Sequence, residues 1–406
     1  MKRIPLQISD EYIAALSQRL GFDLSPQNLV TRNGNAYIAE KAALVSQISE
    51  GLTKSRNSFL ASEYLKDKKI REAYLLYYMT TNMLKVIQPL RELALFDFFE
   101  RESLKVLDLG TGTGAAVWGL LSYLREVRKS TLLDITLSDS LDKNLGEAQN
   151  FSKFLISPIS HLGHIGLIRP ILSFQKFDLQ KLNEISSKIK KGAPYQLITM
   201  MNVLNELDEG NDRALLEMLT SLLDEHGAII MIEPATRLES RRLLRFRDIA
   251  TANGTTVFSP CTRQVGCPAL TQEDNWCHNE LDWERPAFIK AIDDITGNLR
   301  LSLKSTFIIL RKDGVTLSDS LKEKNLYRVV SKRFDEKGRI RAFLCGENGR
   351  REYVLNKRDL TYSNKDFKDV ERYDVVKVAG EEIREHDNRI TELSPISIVL
   401  PNLGAR

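Results

Sequence analysis

The 406-residue sequence predicts an α/β fold with a doubly wound, mainly parallel sheet, an N-terminal helical region and a small C-terminal β module. Three patterns predict it. Apolar residues recur three and four apart before residue 100, strands alternate with helix-length segments from 104 to 312, and short alternating runs divided by Gly and Asn turns follow residue 320. We therefore expect three domains, at 1–100, 101–315 and 316–406.

The N-terminal region contains strong helix formers between residues 40 and 100 and no glycine between Gly51 and the end of that stretch. Pro89 is expected to kink or restart a helix because it has no N–H to donate. Three tyrosines, Tyr74, Tyr77 and Tyr78, have the spacing of helix packing rather than of a base-stacking platform.

The central region predicts a sheet with helices on both faces. A Cys-rich insertion at 259–283 then falls in an enlarged connection between the last two strands. The predicted strands are 104–110, 132–139, 172–179, 195–204, 227–234, 255–260 and 304–312.

A glycine-rich loop closes the first predicted strand and opens a helix. Glycines let the backbone approach an anionic or nucleoside ligand, and a helix N-terminus presents free N–H groups to it. Asp139 ends the next strand, 25 residues after Gly114, where it could accept the hydroxyls of a ribose. The pattern D-x-G-x-G-x-G resembles the S-adenosylmethionine loop of class I methyltransferases, and Asp178 resembles the acid that meets the adenine edge in that family. The predicted cofactor-binding residues are Asp108, Gly110, Gly112, Gly114, Asp139 and Asp178.

No familiar catalytic motif follows the fourth strand. Amine methyltransferases carry an Asn/Asp-Pro-Pro-aromatic tetrad there, and cytosine-C5 enzymes use a cysteine nucleophile. The stretch MNVLNEL at 201–207 has neither. Asn202 is the one weak candidate for orienting a substrate, and the catalytic residues otherwise stay unknown.

Charge is uneven along a chain whose net charge is only +4. Residues 322–358 contain twelve Lys/Arg against five acids, and residues 237–248 contain five arginines against two acids. Clusters of this kind contact phosphates or form solvated helix faces, and both interpretations stay open at this point. No apolar run is long enough to predict a membrane span, so we expect a cytoplasmic protein, although a mature mitochondrial chain would look the same.

Three of only four cysteines, Cys261, Cys267 and Cys277, lie close together, separated by five and nine residues. Cys345 follows after 67 further residues, inside the basic C-terminal module. Paired C-x-x-C zinc knuckles are absent from the sequence, whereas iron–sulfur sites tolerate looser spacing around four thiolates. We therefore expect a structural iron–sulfur cluster, with zinc as second choice and unliganded thiols third; adjacent His278 is a poorly placed substitute ligand.

Taken together, several stretches resemble the small-ribosomal-subunit methyltransferase-like family, which includes methyltransferase-like protein 17, its yeast mitoribosomal counterpart and bacterial relatives. The resemblance covers about residues 70–380. It is carried by VLDLGTGTGAAVW (106–118), NVLNEL (202–207), IEPATRLESRRLLRFRD (232–248), SPCTRQVGCPAL with NWCH (259–278), STFIILRK (305–312) and RAFLCG (341–346).

The resemblance implies a 4Fe-4S cluster on Cys261, Cys267, Cys277 and Cys345, S-adenosylmethionine at the glycine loop, and docking on small-subunit rRNA and ribosomal proteins during ribosome maturation. We expect an assembly factor whose two basic stretches both face rRNA. An active rRNA methyltransferase is the alternative, and a redox or iron sensor is a third possibility. Oligomeric state is left open, with a monomer as the expectation.

Overall fold

The computed structural model describes residues 5–54, 58–59, 64–127, 131–156, 168–185 and 187–402. Its N-terminal part is helical. Ser9 begins the first helix by accepting a hydrogen bond from the Tyr12 N–H, and Gly21 ends it in the left-handed conformation at φ 64°. The helices here are α1 (Asp10–Leu20), α2 (Pro26–Leu29), α3 (Arg32–Lys54), α4 (Lys68–Tyr74), α5 (Thr80–Met83) and α6 (Ile87–Ala94).

Helices α4, α5 and α6 are one nearly continuous helical run, in which the α-helical hydrogen-bond pattern is interrupted twice. A π-helical turn, Leu75–Met79, joins α4 to α5, and a 3-10 turn, Leu84–Val86, joins α5 to α6. Pro89 lies in the first turn of α6, where its missing N–H is tolerated. The expected restart of a helix near this proline is therefore present.

The central sheet has the strand order β3-β2-β1-β4-β5-β8-β6. Strands β1 to β5 pair in parallel, whereas β8 runs antiparallel to both of its neighbours and to the short strand β7. This order, with an antiparallel strand inserted beside β5, is that of the class I methyltransferase sheet, and the predicted fold class is confirmed. The strands are β1 (Ser103–Leu109), β2 (Thr131–Asp139), β3 (Ile168–Lys176), β4 (Tyr195–Met201), β5 (Leu223–Pro234), β6 (Thr256–Ser259), β7 (Asn279–Asp282) and β8 (Ser302–Arg311).

Helices cover both faces of this sheet, because alternate residues of its strands enter two different cores. Leu104 and Val106 of β1 belong to the core shared with the N-terminal helices, whereas Leu107 and Leu109 belong to the opposite one. The covering helices are α7 (Ala115–Glu126), α8 (Asp142–Leu155), α9 (Ser187–Gly192), α10 (Asp212–Leu222), α11 (Arg237–Ala252) and α12 (Ala287–Thr296).

The C-terminal part begins with helix α13 (Leu317–Leu321) and continues as a second, mostly antiparallel sheet with the order β14-β15-β12-β11-β9-β13-β16. It has a core of its own, yet Leu317, Tyr373 and Leu400 enter the main core beneath it. The strands are β9 (Leu326–Val329), β10 (Phe334–Asp335), β11 (Arg339–Gly346), β12 (Gly349–Asn356), β13 (Val375–Val378), β14 (Glu382–Ile383), β15 (Asp387–Ile390) and β16 (Ile396–Leu400).

The insertion between β6 and β8 contains the cysteine segment, β7 and α12, as the sequence predicts for this connection. Its first part faces the β module and its last part, α12, packs on α3 of the helical region. The exact domain limits stay predictions. Across the described ranges, none of the helices combines the length and the apolar character needed to cross a bilayer.

Candidate functional site

The glycine loop connects β1 to α7 with three residues in the left-handed conformation, at φ 66° for Gly110, 54° for Gly112 and 91° for Gly114. A Cβ atom added to Gly110 would lie 2.4 Å from Val203 Cγ2, and one added to Gly114 would lie 2.6 Å from the indole of Trp118. Side chains are thus excluded at both ends of the loop by close neighbours as well as by backbone angle. At Gly112 nothing lies within 4 Å, so the loop is open on that side.

Two carboxylates fix the shape of this loop. Asp108 is buried under it and accepts hydrogen bonds from the hydroxyls of Thr111 at 2.5 Å and Thr199 at 2.6 Å. Asp139 accepts one from the Gly112 N–H at 2.8 Å and one from the Asn144 side chain at 3.0 Å. The acid that the sequence assigned to a ribose is therefore held against the glycine loop itself.

Burial governs the protonation of both acids. It raises the pKa of Asp108 to about 6, against the lowering effect of the Thr111 and Thr199 hydroxyls. Burial also raises the pKa of Asp139, although backbone N–H groups of Leu141 and Gly112 oppose the shift. Each acid is thus desolvated in a way that suits direct contact with a ligand rather than with water.

A cavity of about 670 Å³ opens in front of the loop, a volume in the range of small-molecule sites. Gly114 is the one predicted cofactor residue that does not line it; that glycine lies against Trp118. The predicted residues on its wall are Asp108, Gly110, Gly112, Asp139, Asp178 and Asn202.

Asn202 follows β4 with φ 59°, in the left-handed region that a non-glycine residue seldom adopts. Its backbone N–H donates to the carbonyl of Ile232 at 2.8 Å, while its buried Oδ1 has no hydrogen-bond partner among the described residues. Glu233 holds the turn that follows by accepting from the backbone N–H groups of Val203 and Leu204 at 3.0 and 2.9 Å. Contact between the NVLNEL and IEP stretches thus presents the Asn202 amide to the cavity.

The helical region supplies another part of the cavity wall. Tyr74 and Tyr78 stack at 5.5 Å between ring centroids and line the cavity, together with Lys85 and Arg300. Tyr77 points away and donates a hydrogen bond of 2.5 Å to the buried Asp293. Tyr77 therefore packs against α12 and does not line the cavity, whereas Tyr74 and Tyr78 do.

A second, much smaller cavity of about 40 Å³ is lined by all four cysteines, Cys261, Cys267, Cys277 and Cys345. Three come from the insertion and one from β11 of the β module, and all are free thiols. The space is far too small for an organic cofactor, which needs several hundred Å³. Its remaining wall is mostly apolar and includes Pro260, Pro268, Ala269, Phe307, Ile308, Val330 and Tyr373.

Helix α11 holds the cysteine segment through its arginines. Arg241 donates to the carbonyls of Ala269, Gln272 and Asn275 at 3.1, 2.8 and 2.8 Å. Fully buried Arg247 donates to the carbonyls of Arg263 at 2.5 Å and Val265 at 2.6 Å. Asp248 on the same helix accepts from the Cys267 N–H at 3.0 Å. An irregular segment thereby acquires partners for its backbone groups.

The arginines of 237–248 therefore do not form a second basic surface, and the expectation that both basic stretches face rRNA is wrong for this one. Arg242 and Arg247 are buried, with Arg242 bound to Asp212 at 2.8 Å. Arg245 is half-exposed and pairs with Glu209 at 2.6 Å. The i, i+3, i+4 stripe of buried residues on α11 contains Arg242 and Arg247, so helical periodicity could have revealed this from the sequence.

The β module reaches the cysteine segment through direct contacts. Thr262 Oγ1 donates to the carbonyl of Cys345 at 3.3 Å, and Cys277 Sγ lies 3.4 Å from the hydroxyl of Tyr373. Arg328 of β9 donates its Nε–H to the carbonyl of Pro260 at 2.8 Å. The four thiols are thus surrounded by a fixed scaffold drawn from two distant parts of the chain.

The chemistry of this donor set fits an anionic, thiolate-bound metal group. The Nε atoms of Arg247, Arg263 and Arg350, all on the cavity wall, are buried and have no hydrogen-bond partner among the described residues. Burial, and then the neighbouring Cys261 and Cys277 thiols, raise the pKa of Cys267 to about 12, and the same two causes raise those of Cys277 and Cys345. A raised pKa keeps these three thiols protonated, so binding a metal to them would release protons.

The described side chains do not themselves converge on a single ion: no group of three or more His, Cys, Asp or Glu residues within those ranges is arranged as a ligand shell. His278 lies next to Cys277 but is not on the cavity wall. Its Nε2 is 3.3 Å from Glu280 Oε1, and its ring stacks on Trp276. The carboxylate of Glu280, bonded to His278, has its pKa lowered to about 2 by that contact.

The sequence comparison that decides the family is a match over residues 68–379 to the model described as mitochondrial small ribosomal subunit Rsm22. The chain belongs to the Rsm22 family. The resemblance inferred from the glycine loop, NVLNEL, IEP and the cysteine segment is thereby confirmed. A comparison with curated proteins finds no match.

Solved structures similar to this Rsm22-family chain include several methyltransferases at low identity. Magnesium protoporphyrin IX methyltransferase from Synechocystis PCC 6803, with bound S-adenosylmethionine, is 14% identical over 65% of this chain and 95% of that one, with a TM-score of 0.32. The plantazolicin methyltransferase BpumL is 14% identical over 68% and 98%, at 0.33. The methyltransferase domain of the citrinin polyketide synthase is 13% identical over 71% and 68%, at 0.38. The fold assignment rests on this chain's own strand order.

Proposed function

We propose that this Rsm22-family chain is a maturation factor of the small ribosomal subunit that binds S-adenosylmethionine, carries a structural 4Fe-4S cluster and docks on rRNA. One observation carries the proposal: four cysteines from two distant segments line a single cavity where the methyltransferase-like body meets the basic β module. Family membership supplies the ribosomal context.

S-adenosylmethionine is the cofactor we assign to the larger cavity. The open side of Gly112, the desolvated Asp108 and Asp139, and Asp178 at the end of the third strand line that space. Asp139 retains acceptor capacity for a ribose hydroxyl beyond its three hydrogen bonds from Gly112, Leu141 and Asn144, because a carboxylate has about four lone-pair sites. The glycine loop and the N-terminus of α7 supply N–H groups for the rest of the nucleoside.

The metal group we assign to Cys261, Cys267, Cys277 and Cys345 is the 4Fe-4S cluster, with zinc as second choice. Four thiolates around one group leave no open coordination position, so its role is to cross-link the insertion to β11. Arg247, Arg263 and Arg350 would offset the negative charge of the thiolates, since their Nε–H donors lie unused on the same wall.

The rRNA surface we assign is the β module. Four lysines, Lys322, Lys324, Lys332 and Lys337, are exposed there and form no ion pair with any described residue. Tyr362 is 84% exposed, with the ammonium of Lys365 lying 3.8 Å from its ring centroid. Lysines provide phosphate neutralisation and an exposed aromatic ring provides a stacking platform. Arg328, by contrast, is buried and cannot contribute.

Metal analysis of anaerobically purified protein tests the cluster. About four irons per chain with a brown absorption spectrum are expected. Cys345→Ser should lose the iron and rRNA affinity together, whereas His386→Ser, an exposed substitution on the same module, should keep both. A colourless wild-type protein with one zinc would replace the cluster by zinc, and tight rRNA binding without any metal would contradict the proposal.

Salt titration tests the rRNA surface. Replacing Lys332 by Gln should lower the slope of log affinity against log salt by about 1, because one phosphate contact releases about one counterion. Lys153→Gln on the exposed side of α8 is the matched control and should leave the slope unchanged. Equal slopes for wild type and a quadruple Lys→Gln variant at 322, 324, 332 and 337 would place the RNA elsewhere.

An active rRNA methyltransferase is the second candidate, and one observation favours it. Asn202 lines the cavity from a left-handed backbone, and its Oδ1, which has no hydrogen-bond partner among the described residues, could accept an N–H of a methyl acceptor. Incubation with labelled S-adenosylmethionine and immature subunits tests it. Stoichiometric methyl transfer that is lost in Gly112→Arg would establish the enzyme, and no transfer would leave the assembly factor.

A further inference from the structure

Two cations from outside the glycine loop line the larger cavity. Lys85 comes from the 3-10 turn before α6 and is only 9% exposed. Arg300 comes from the connection between α12 and β8 and is half-buried. Segments far apart in the sequence thus place two positive side chains on one wall.

Neither cation has a carboxylate partner among the described residues. Lys85 Nζ donates to Asn82 Oδ1 at 2.8 Å, which uses one of its three donors. Arg300 Nη1 donates to the Thr81 hydroxyl at 3.2 Å, and its guanidinium lies 4.6 and 5.1 Å from the ring centroids of Tyr77 and Tyr78. All of these partners are uncharged.

Asp293, an acid close to Arg300, is already engaged with other donors. Asp293 accepts from the Tyr77 hydroxyl through Oδ1, and through Oδ2 from Arg285 at 2.9 Å and from the backbone N–H of Arg300 at 3.3 Å. Asp108 and Asp139, which also line the cavity, are bound to the glycine loop and its threonine. Asp108 and Asp139 therefore lie at the loop, and Lys85 and Arg300 come from other segments, while Glu206 and Glu239 also line the cavity.

We propose that Lys85 and Arg300 form an anion-binding corner of the cavity, which holds the carboxylate or phosphate group of a bound molecule. A buried ammonium beside a guanidinium is costly without a counterion, and an anion between them removes that cost. Burial, and then Arg300, lower the pKa of Lys85 to about 7, in keeping with an anion-free corner. Asn82 and Thr81 hold the two donors in place before the anion arrives.

The anion has two possible sources. One is the carboxylate of S-adenosylmethionine, and this source rests on the proposed function. The other is a phosphate of an RNA nucleotide entering the same cavity beside Tyr74 and Tyr78. The two sources differ in which molecule would bind more weakly when Lys85 or Arg300 is replaced.

The experiment measures binding by equilibrium dialysis for three probes: S-adenosylmethionine, its decarboxylated analogue and radiolabelled orthophosphate. Lys85→Met and Arg300→Leu are compared with wild type and with Lys153→Met, an exposed lysine of α8. Lys85→Arg tests rescue by charge, and circular dichroism with urea unfolding checks that each variant is folded.

A carboxylate in the corner predicts a loss of about ten- to a hundredfold in affinity for S-adenosylmethionine in Lys85→Met, with no change for the decarboxylated analogue. If the corner holds a phosphate instead, both variants should bind S-adenosylmethionine and its decarboxylated analogue as wild type does, and should lose orthophosphate binding. Unchanged binding of all probes in folded Lys85→Met and Arg300→Leu would overturn the corner. If wild type binds neither nucleoside, the cofactor assignment fails by itself, and the orthophosphate measurement still decides the corner, for or against.

Discussion

Arg328 of β9 donates hydrogen bonds of 3.1 and 2.9 Å to the two carboxylate oxygens of Glu92 in α6, and both side chains are almost completely buried. The same guanidinium donates to the carbonyls of Pro260 and Tyr373 at 2.8 and 2.7 Å. Ser259 also donates to Glu92. One ion pair thus joins the helical region, the start of the cysteine segment and the β module.

Removing one partner of this pair should destabilise the folded protein strongly. Glu92→Ala leaves a buried guanidinium without its counterion, and we expect the free energy of unfolding to fall by about 3–5 kcal/mol. Urea unfolding measures the change. Glu50→Ala, which removes an exposed ion pair with Lys54, is the control and should have no measurable effect. The double variant Glu92→Met/Arg328→Met should recover part of the loss, because no charge is left unpaired although the carbonyls of Pro260 and Tyr373 lose a donor. A Glu92→Ala protein as stable as wild type would contradict the role of the pair.

A second prediction concerns metal content without a change to any cysteine. Arg247→Met removes the hydrogen bonds to the carbonyls of Arg263 and Val265, so the loop that carries Cys261 and Cys267 loses its fixed path. We expect a lower metal content per folded chain, measured by elemental analysis after anaerobic purification. Arg245→Met, on the same helix but half-exposed, should keep the wild-type metal content. Equal metal in both variants would show that the loop path does not depend on Arg247.

Replacing glycine by alanine should have opposite effects on stability in the glycine loop and in an ordinary helix. Gly110→Ala places a Cβ 2.4 Å from Val203 Cγ2 at a φ of 66°, and we expect a loss of roughly 1–3 kcal/mol in the free energy of unfolding. Gly146→Ala in α8, where nothing lies within 4 Å, should instead gain roughly 0.5–1 kcal/mol. Thermal and urea unfolding should show a lower free energy of unfolding for Gly110→Ala and a higher one for Gly146→Ala. A change of the same sign in both variants would contradict the special geometry of Gly110.

The sequence predicts most of the fold because periodicity and glycine placement are local properties. Seven of the eight central strands, the glycine loop and the insertion before the last strand follow from patterns a few residues long, and the short strand β7 was missed. The same reasoning misplaced the arginines of α11, because it counted the charges of the segment and did not follow the helical stripe of buried residues on which Arg242 and Arg247 lie. Glu92 with Arg328, and Lys85 with Arg300, were missed because each pair is made by chain segments whose meeting depends on the whole tertiary structure.

The glycine loop also predicts a pH dependence of stability through Asp108. Its folded pKa is about 6, above the ordinary 3.8, so the folded state binds this proton more tightly than the unfolded chain does. The resulting stabilisation is fully present below pH 3.8 and is lost as the pH rises through 6, a change of about 3 kcal/mol. Asp108→Asn removes the titration while leaving Asp212, whose pKa burial also raises to about 6, in both proteins. The stability difference between wild type and Asp108→Asn, measured by urea unfolding from pH 4 to 7, should therefore shift in favour of the variant as the pH rises. A difference that stays constant over this range would mean that Asp108 is no more desolvated than an acid in the unfolded chain.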